Sequence, residues 1–352
     1  MKILLLEYIT AGGLNNAPLP ASLLREGMLM RDALLQDFGL LEDVEIITTC
    51  DARINLPAQA PDAIWIDKKT NPMKIWQGLL QTCDAALIVA PETDGVLSEL
   101  TQIIDASPAE NLGCNQYAVD IASNKYAMFQ ALKNTNTLTM PTYRANELME
   151  SFVPDESFKH GYVVKPNDGA GCNDTFYFSD FAVLQDWLNL NPEKQAGYII
   201  QPYQTGIPAS ISALCKDGKA WVLSCNQQKI AIKAIESNQA AIQYQGSVVN
   251  GLSNYQAAFA TLANRMAKAI AGLNGYVGID VIVDAGNIYT VEINPRITTS
   301  YIGLRESLNS NPAQWILDLI YHPSFKLPGN LANKTVEISV DGLSENKSSR
   351  HG

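Results

Sequence analysis

Histidine and paired cysteines are scarce in this chain of 352 residues. The three histidines, at positions 160, 322 and 351, stand in no motif, and the six cysteines include no C-x-x-C pair. Scattered cysteines favour buried, reduced thiols over zinc ligands or disulfides. A histidine-based catalytic triad and a histidine-rich zinc or iron site are therefore poor hypotheses for this sequence.

Positive charge is also in short supply. The chain has 25 Lys and Arg residues against 36 Asp and Glu residues, which gives a net charge of −11 and an isoelectric point near 4.8. Nucleic acids and anionic membranes bind clustered cations, so neither is an expected partner. Any phosphate group must be bound by a few individually placed cations.

Long apolar runs are missing as well, because no stretch approaches the roughly 18 residues of a membrane helix. The opening residues, MKILLLEYITAGG, lack the charged region and cleavage pattern of a signal peptide and predict a first strand instead. We therefore expect a cytoplasmic protein. A content of 47% hydrophobic and 17% charged residues is ordinary for a globular enzyme of two or three domains.

The first 113 residues predict a small open parallel sheet. The predicted elements are strands at 1–8, 44–49 and 85–90 and a helix at 21–38. No G-x-G-x-x-G run follows the first strand, so a dinucleotide fingerprint is absent. Glu7 and Tyr8 lie at the carboxyl end of that strand, where open α/β sheets bind ligands. They are candidate substrate residues, although a polar pair that merely ends a strand is an equally good interpretation.

Residues 276–300 predict a β-hairpin, because apolar and polar residues alternate on both sides of a central turn. Glu292 and Asn294 are two apart on one strand and so project from the same face. Asp280 joins that face if the loop has three residues, whereas a two-residue turn would put Asp280 and Glu292 on opposite faces. Gly286 favours the three-residue loop, which needs one residue with a positive φ.

Two carboxylates and an amide oxygen on one sheet face are suitable ligands for Mg²⁺, which binds through one or two carboxylates and substrate phosphates. The competing interpretation is a solvated outer face, and it would be preferred for an isolated Asp and Glu. The adjoining Asn294-Pro295-Arg296 and the continuous Val/Ile face shift the balance toward a metal site.

The run VEINPR at 291–296 resembles the metal-binding signature of the ATP-grasp ligases. This resemblance implies that Asp280, Glu292 and Asn294 hold Mg²⁺ on ATP, with Mn²⁺ as an alternative ion. It also implies that Arg296 contacts the transferred phosphoryl group. The match is specific because it includes both strands and their spacing.

Two lysines precede the hairpin in the order found in ATP-grasp proteins. Ser123 is predicted to cap a helix that begins at Lys125, and Lys165 ends a predicted strand. The loop after that strand contains Asp168, Gly169, Ala170 and Gly171. Either signal alone is weak, since lone lysines are usually solvated and Asp-Gly loops are common turns. The resemblance implies that both lysines enter the nucleotide site, that Lys165 reaches the α- and β-phosphates, and that the loop closes over the nucleotide.

Gln201, Pro202 and Tyr203 resemble the hinge that binds adenine through backbone groups in this family. Many family members place an acidic residue shortly after the hinge to hold the ribose. Residues 206–212 contain none, so the ribose contact has no candidate here.

The substrate candidates beyond the hinge are weaker. Residues 298–303 resemble the loop that positions the acceptor in carboxylate–amine ligases, which makes Tyr301 and Gly303 candidates. Gln227 belongs to a polar run at 226–229 for which a strand end is the preferred interpretation. Tyr8, Tyr301 and Gln227 are also candidate partners for a phenol hydroxyl.

The resemblance implies an ATP-grasp fold with α/β and α+β parts. Its predicted divisions are a pre-ATP-grasp domain at 1–113, a nucleotide lid at 114–205, a metal-binding and catalytic subdomain at 206–330, and a C-terminal strand and frayed tail at 331–352. Further predicted elements are strands at 162–166, 175–178, 198–203, 209–215 and 220–225, helices at 181–190 and 254–273, and an edge strand at 334–340.

Four short strings, LLEYITAGG, APE at 90–92, DGAGC and GIPAS, resemble the tyramine–glutamate ligases of methanofuran biosynthesis, whose methylotroph relatives would serve methylofuran. This resemblance implies that the γ-carboxyl of glutamate is converted to an acyl phosphate and joined to tyramine or tyrosine. Another ATP-grasp dipeptide or D-alanine-type ligase and a non-catalytic nucleotide sensor are the alternatives. The sequence leaves open the two substrates, the number of additions and the oligomeric state, a homodimer included.

Overall fold

The computed structural model describes residues 1–147, 154–169 and 171–340. The α-helices that lie wholly within these residues are α1 (Ala21–Gly39), α2 (Pro72–Leu80), α3 (Val96–Asp105), α4 (Gln116–Ala122), α5 (Lys125–Leu132), α6 (Phe181–Leu190), α7 (Pro192–Gly197), α8 (Gln256–Ala269), α9 (Leu304–Leu308) and α10 (Pro312–Tyr321). The strands are β1 (Lys2–Glu7), β2 (Glu45–Ile47), β3 (Thr49–Asp51), β4 (Ile64–Ile66), β5 (Ala85–Val89), β6 (Glu110–Asn111), β7 (Tyr143–Arg144), β8 (Tyr162–Pro166), β9 (Phe176–Phe178), β10 (Tyr198–Pro202), β11 (Ile207–Lys216), β12 (Lys219–Glu236), β13 (Gln239–Val249), β14 (Gly275–Asp284), β15 (Asn287–Asn294) and β16 (Val336–Ser339). The predicted tail at 344–352 lies outside the described residues.

A parallel sheet forms the N-terminal part, in the order β2-β1-β5-β6. The apolar run of β1 is buried on both faces, since Ile3 packs with Phe38 of α1 while Leu4 packs with Trp76 of α2. The predicted open parallel sheet is therefore confirmed. The predicted strand at 44–49 is divided, because the chain leaves this sheet after β2 and pairs β3 with β4.

A larger antiparallel sheet contains the rest of the strands, in the order β15-β14-β11-β12-β13-β9-β8-β10-β7 with β16 on β13. The predicted hairpin of β14 and β15 and the strand that carries Lys165, β8, thus belong to one continuous sheet. Helix α8 covers one face of β11 and β12 with Phe259, Leu262 and Met266, as its apolar spacing predicts.

The part of the sheet that contains β8, β9 and β10 has a small apolar core of its own. Phe158, Tyr162 and Phe178 pack there with Leu184 and Leu188 of α6. This cluster shares none of its buried residues with the two larger clusters.

Strand β12 is longer than the sequence predicted. It continues through the polar run 226–229 to Glu236, so that this run lies within the strand instead of ending it. Pairing with β13 provides the backbone hydrogen bonds that sustain the extension. Among the described residues, no helix has the length and apolar character required to cross a membrane.

Candidate active site

The β14–β15 hairpin reaches its register in a way that the sequence did not predict. Its turn has two residues, Ala285 and Gly286, with φ values of 47° and 85°, and Asp284 pairs with Asn287. Two positive φ values are typical of the tight turns that match strand twist. The predicted three-residue loop is therefore wrong.

A β-bulge restores the predicted pairing of the acidic residues. Val281 pairs with Thr290 and Asp280 pairs with Glu292, so that Val291 is the extra residue between them. The extra residue shifts the strand by one position, which brings Glu292 to the face of Asp280. Asn294 joins them, because its side-chain amide donates to the Asp280 carboxylate over 3.3 Å.

The two carboxylates differ strongly in their surroundings. The Glu292 carboxylate lies 3.4 Å from the Lys125 ammonium and 3.7 Å from that of Lys165. Asp280 instead accepts a hydrogen bond of 2.9 Å from Gln228. Burial and the neighbouring Glu292 raise the pKa of Asp280. Burial also acts on Glu292, but the two lysines outweigh it and lower the pKa of Glu292.

This donor set suits Mg²⁺. Two facing carboxylates and the Asn294 side chain offer oxygen ligands. The described residues contain no group of three or more His, Cys, Asp or Glu side chains that could hold a metal ion by itself. A magnesium ion commonly binds through one or two carboxylates and completes its coordination with phosphates and water. The hairpin residues therefore fit an ion that arrives with a phosphate ligand.

Lys125 and Lys165 meet because the start of α5 is bonded to the loop after β8. The Lys125 ammonium donates to the Gly169 carbonyl over 3.0 Å, and the backbone amide of Tyr126 donates to the Asn167 side chain over 2.9 Å. The cap of α5 is Asn124, whose side chain accepts from Ala127, and not the predicted Ser123. Ser123 ends the preceding helix α4.

The predicted phosphate loop is divided between two surroundings. Gly169 and Gly171 line the cavity. Asp168 lies outside the lining, and its carboxylate accepts the backbone amide of Asp94 over 3.0 Å. Ala170 is outside the described residues. The structure thus gives Asp168 a bond to the N-terminal lobe instead of a place among the predicted nucleotide contacts.

The predicted hinge residues Gln201, Pro202 and Tyr203 all line the cavity. The Gln201 side chain is buried and donates to Thr142 over 2.9 Å. Proline has no amide proton, and the amide of Tyr203 donates to the Gly161 carbonyl over 2.9 Å. Of the three hinge residues, Pro202 therefore has no N–H group to offer adenine, and the N–H group of Tyr203 is already bonded.

Arg296 is held from the opposite lobe. Its guanidinium donates to the Glu92 carboxylate over 2.8 Å, and the two side chains are only 9% and 3% exposed. Glu92 follows β5 in the string APE. The string carried a family resemblance, but no individual role was predicted for Glu92. Its position at the end of a parallel strand was a signal that could have been used.

These residues surround a cavity of about 340 Å³. It lies between the N-terminal lobe and the large sheet, and its volume is within the range of small-ligand pockets. The predicted residues that line it are Glu7, Lys125, Lys165, Gly169, Gly171, Gln201, Pro202, Tyr203, Asp280, Glu292, Asn294 and Arg296.

Four substrate candidates do not lie on this cavity. Tyr8 donates to the Gly13 carbonyl over 3.0 Å. Gln227 is exposed, because side chains alternate along β12 and its neighbour Gln228 faces the cavity. Tyr301 is buried in the core beside Tyr276, and Gly303 packs against Val249. The prediction selected Gln227 from the polar run, but the side chain of that run that faces the cavity is Gln228.

Comparison with known sequences places this arrangement in a family. A sequence model of the ATP-grasp domain matches residues 122–300, and one of the pre-ATP-grasp 3 domain matches residues 44–119. The chain belongs to the ATP-grasp family. This ATP-grasp chain is accordingly an ATP-dependent ligase of the carboxylate–amine class.

Two curated relatives cover most of the chain. It is 32% identical over 306 residues to a tyramine–L-glutamate ligase of Methanocaldococcus jannaschii, a match that covers 86% of this chain and 84% of the relative. It is 30% identical over 310 residues to a tyramine–L-glutamate ligase of Methanocaldococcus fervens, with coverage of 86% and 89%.

A solved structure shares the fold. A putative ATP-grasp superfamily protein from Archaeoglobus fulgidus superposes with a TM-score of 0.66 at 21% identity, covering 96% of this chain and all of that one. The predicted ATP-grasp fold, with its parallel N-terminal sheet, is confirmed.

Proposed function

We propose that this ATP-grasp ligase joins a glutamate carboxylate, through its γ-carboxyl, to tyramine or tyrosine in the biosynthesis of a methanofuran-type cofactor. The observation that carries the ATP-dependent part is the convergence of the facing Asp280 and Glu292 carboxylates with three cations on one cavity. The substrate pair is supported by the two relatives, which are named tyramine–L-glutamate ligases.

The proposed reaction has two steps. The glutamate carboxylate attacks the γ-phosphate of ATP to give an acyl phosphate and ADP, and the amine then displaces phosphate to form the amide. Both steps require neutralisation and alignment of phosphate charge more than a protein nucleophile. Charge of this kind is what the cavity supplies.

Each charged side chain has a separate proposed role. Asp280, Glu292 and Asn294 would hold Mg²⁺, which neutralises phosphate charge when bound. Lys125 and Lys165 lie within 3.7 Å of Glu292 and so can contact phosphate oxygens beside it. Arg296, fixed by Glu92, would face the transferred phosphoryl group.

An assay of amine dependence tests the proposal. The purified protein is incubated with Mg-ATP and glutamate, while the amine is varied among tyramine, tyrosine, D-alanine and glutamate. ADP release and product mass are measured together. We expect ADP release and a γ-glutamyl amide with tyramine or tyrosine, loss of both after chelation with EDTA, and their return with Mg²⁺.

Other outcomes identify the alternatives. ADP release that D-alanine drives equally well would move the protein to the dipeptide-ligase group. Tight ATP binding without turnover on any amine would indicate a nucleotide sensor.

A pair of variants tests the metal-binding face. Glu292→Gln removes a ligand charge with little change of volume, and we expect turnover to fall about 100-fold or more. Asp217→Asn changes an exposed carboxyl in the turn between β11 and β12 and serves as the control. Equal turnover of the two variants would remove Glu292 from the proposed site.

A further inference from the structure

Helix α1 contributes one row of side chains to the cavity. Leu23, Glu26 and Met30 all line it, and their spacing of three and four residues places them on one helix face. A carboxylate between two apolar side chains on a cavity wall is unusual, because a Glu side chain removed from solvent is normally paired with another polar or charged group. No sequence pattern assigns a role to Glu26.

The Glu26 carboxylate is available for a ligand. Among the described residues it makes no hydrogen bond or ion pair, and a Cβ atom built on Gly171, in the loop after β8, would lie 3.8 Å from its Oε1 atom. Burial raises the pKa of Glu26, while the nearby Arg296 opposes this shift. Glu26 therefore lies near both Gly171, in the loop after β8, and Arg296, the cation proposed to face the phosphoryl group.

Glu7, the second carboxylate of this wall, is already engaged. It accepts the backbone amides of Thr10 over 2.8 Å and of Ile9 over 3.3 Å, and it is fully buried against Gly27. Each oxygen of Glu7 therefore already accepts a backbone hydrogen bond. Glu26 is thus the better placed of the two to bind a cationic group.

We propose that Glu26 binds the ammonium group of an aromatic amine acceptor, whose ring packs on Leu23 and Met30. This inference rests on the proposed function and specifies where its second substrate binds. The remaining lining from the N-terminal lobe is mostly apolar, with Ile9 and Val89 among its members. An ammonium bound to a carboxylate beside apolar side chains matches both ends of an arylethylamine.

Charge distinguishes the two substrates at this wall. Tyramine carries a net charge of about +1 at neutral pH and glutamate about −1, given the ordinary pKa values of amines and carboxyls. The Glu26 carboxylate attracts the first and repels the second. The donor glutamate would therefore bind elsewhere in the cavity.

The same carboxylate can take part in proton transfer. An ammonium must lose two protons in becoming an amide N–H. One passes to the Glu26 carboxylate and frees the nitrogen lone pair, which forms the C–N bond as the C–O bond to phosphate breaks. The second passes to the departing phosphate, which leaves with the electron pair of the broken bond. Glu26 then returns its proton to solvent.

A pair of ligands and a pair of variants test the assignment. Binding of tyramine and of 4-ethylphenol, which lacks the amine, is measured by calorimetry on the wild type, Glu26→Gln and Glu99→Gln. Glu99 is an exposed carboxyl on α3 outside the cavity and serves as the control. In Glu26→Gln we expect tyramine affinity to fall about 10- to 100-fold, because a charge-assisted hydrogen bond is lost, while 4-ethylphenol affinity stays the same.

Steady-state kinetics provide a second readout. In Glu26→Gln the KM for the amine should rise by a similar factor while the KM values for ATP and glutamate stay within about twofold. The inference would be overturned if Glu26→Gln raised only the KM for glutamate. It would also be overturned if Glu26→Gln bound tyramine as tightly as the wild type while the wild type turned over the amine. Absence of amine-dependent turnover in the wild type would instead contradict the proposed function itself, so the two failures are distinguishable.

Discussion

Arg296 and Glu92 form a buried ion pair with 2.8 Å between their nitrogen and oxygen atoms, although 204 residues separate them in the chain. The pair connects the end of β15 to the segment after β5. Burial lowers the pKa of Arg296, but Glu92, together with Glu292 and Glu26, outweighs it, so the pKa is raised. The N-terminal lobe thereby fixes the orientation of a cation that the large sheet provides.

Removal of Glu92 should destabilise the protein. Glu92→Ala leaves a buried guanidinium without its partner, and loss of one member of a buried pair costs about 3–5 kcal/mol. The free energy of unfolding in urea measures this cost. Glu337→Ala, which breaks the exposed ion pair with Lys229, is the control and should cost less than about 1 kcal/mol. Similar costs for the two variants would contradict the structural role of Glu92.

Lys165→Ala should weaken ATP binding. The lysine is buried beside Glu292, and loss of one charge-assisted contact to phosphate costs about 1.5–3 kcal/mol, or roughly 10- to 150-fold in Kd. Lys133→Ala, an exposed lysine just after α5, is the control. Calorimetry with ATP measures both variants. Unchanged ATP affinity in Lys165→Ala would remove this lysine from the nucleotide site.

The hairpin should tolerate one insertion and not another. A glycine inserted between Ala285 and Gly286 lengthens an open turn, so we expect activity to remain within about threefold of wild type, since each added loop residue costs little. A glycine inserted between Glu292 and Ile293 moves Asn294 to the other face, so activity should be lost. Turnover and circular dichroism of both variants check this. Equal loss in both would show that the turn itself sets the register.

Glu7→Gln should change how stability depends on pH. Burial raises the pKa of Glu7 above its ordinary value of 4.5, against the hydrogen bonds from Thr10 and Ile9. The folded protein then binds this proton more tightly than the unfolded chain, so wild-type stability falls as pH rises from about 4.5 through the raised pKa. The Tm of Glu7→Gln relative to wild type should therefore increase from pH 5 to pH 8. A difference in Tm that is independent of pH would contradict the buried, protonatable carboxyl.

Regular sequence patterns predicted an element correctly where a single requirement, the burial of its apolar residues, decided its structure. The apolar residues of β1 and the apolar spacing of α8 determined their burial, and the Val/Ile alternation located the hairpin. The turn was mispredicted because Ala285 is not among the residues that usually adopt a positive φ. The bulge at Val291 left no signal in the sequence, since it depends on pairing with β14.

The candidate site residues were predicted from resemblance to short strings and not from a regular pattern. Residues in short strings, such as Glu292 and Arg296, could be assigned from resemblance. Glu26 could not, because its placement depends on how the N-terminal lobe faces the large sheet, and Glu92 offered only its position at the end of a parallel strand. Contacts between distant parts of a chain carry no local pattern.

The cysteines give this cavity a chemical reporter. All six are free, and Cys172 alone is half-buried while the other five are buried. Cys172 lines the cavity in the loop after β8, and burial raises its pKa to about 12, so its alkylation should be slow at neutral pH. A nucleotide that fills the cavity should slow it further. Mass spectrometry of thiol labelling could therefore follow ligand occupancy in the unmodified wild-type protein, with no engineered probe.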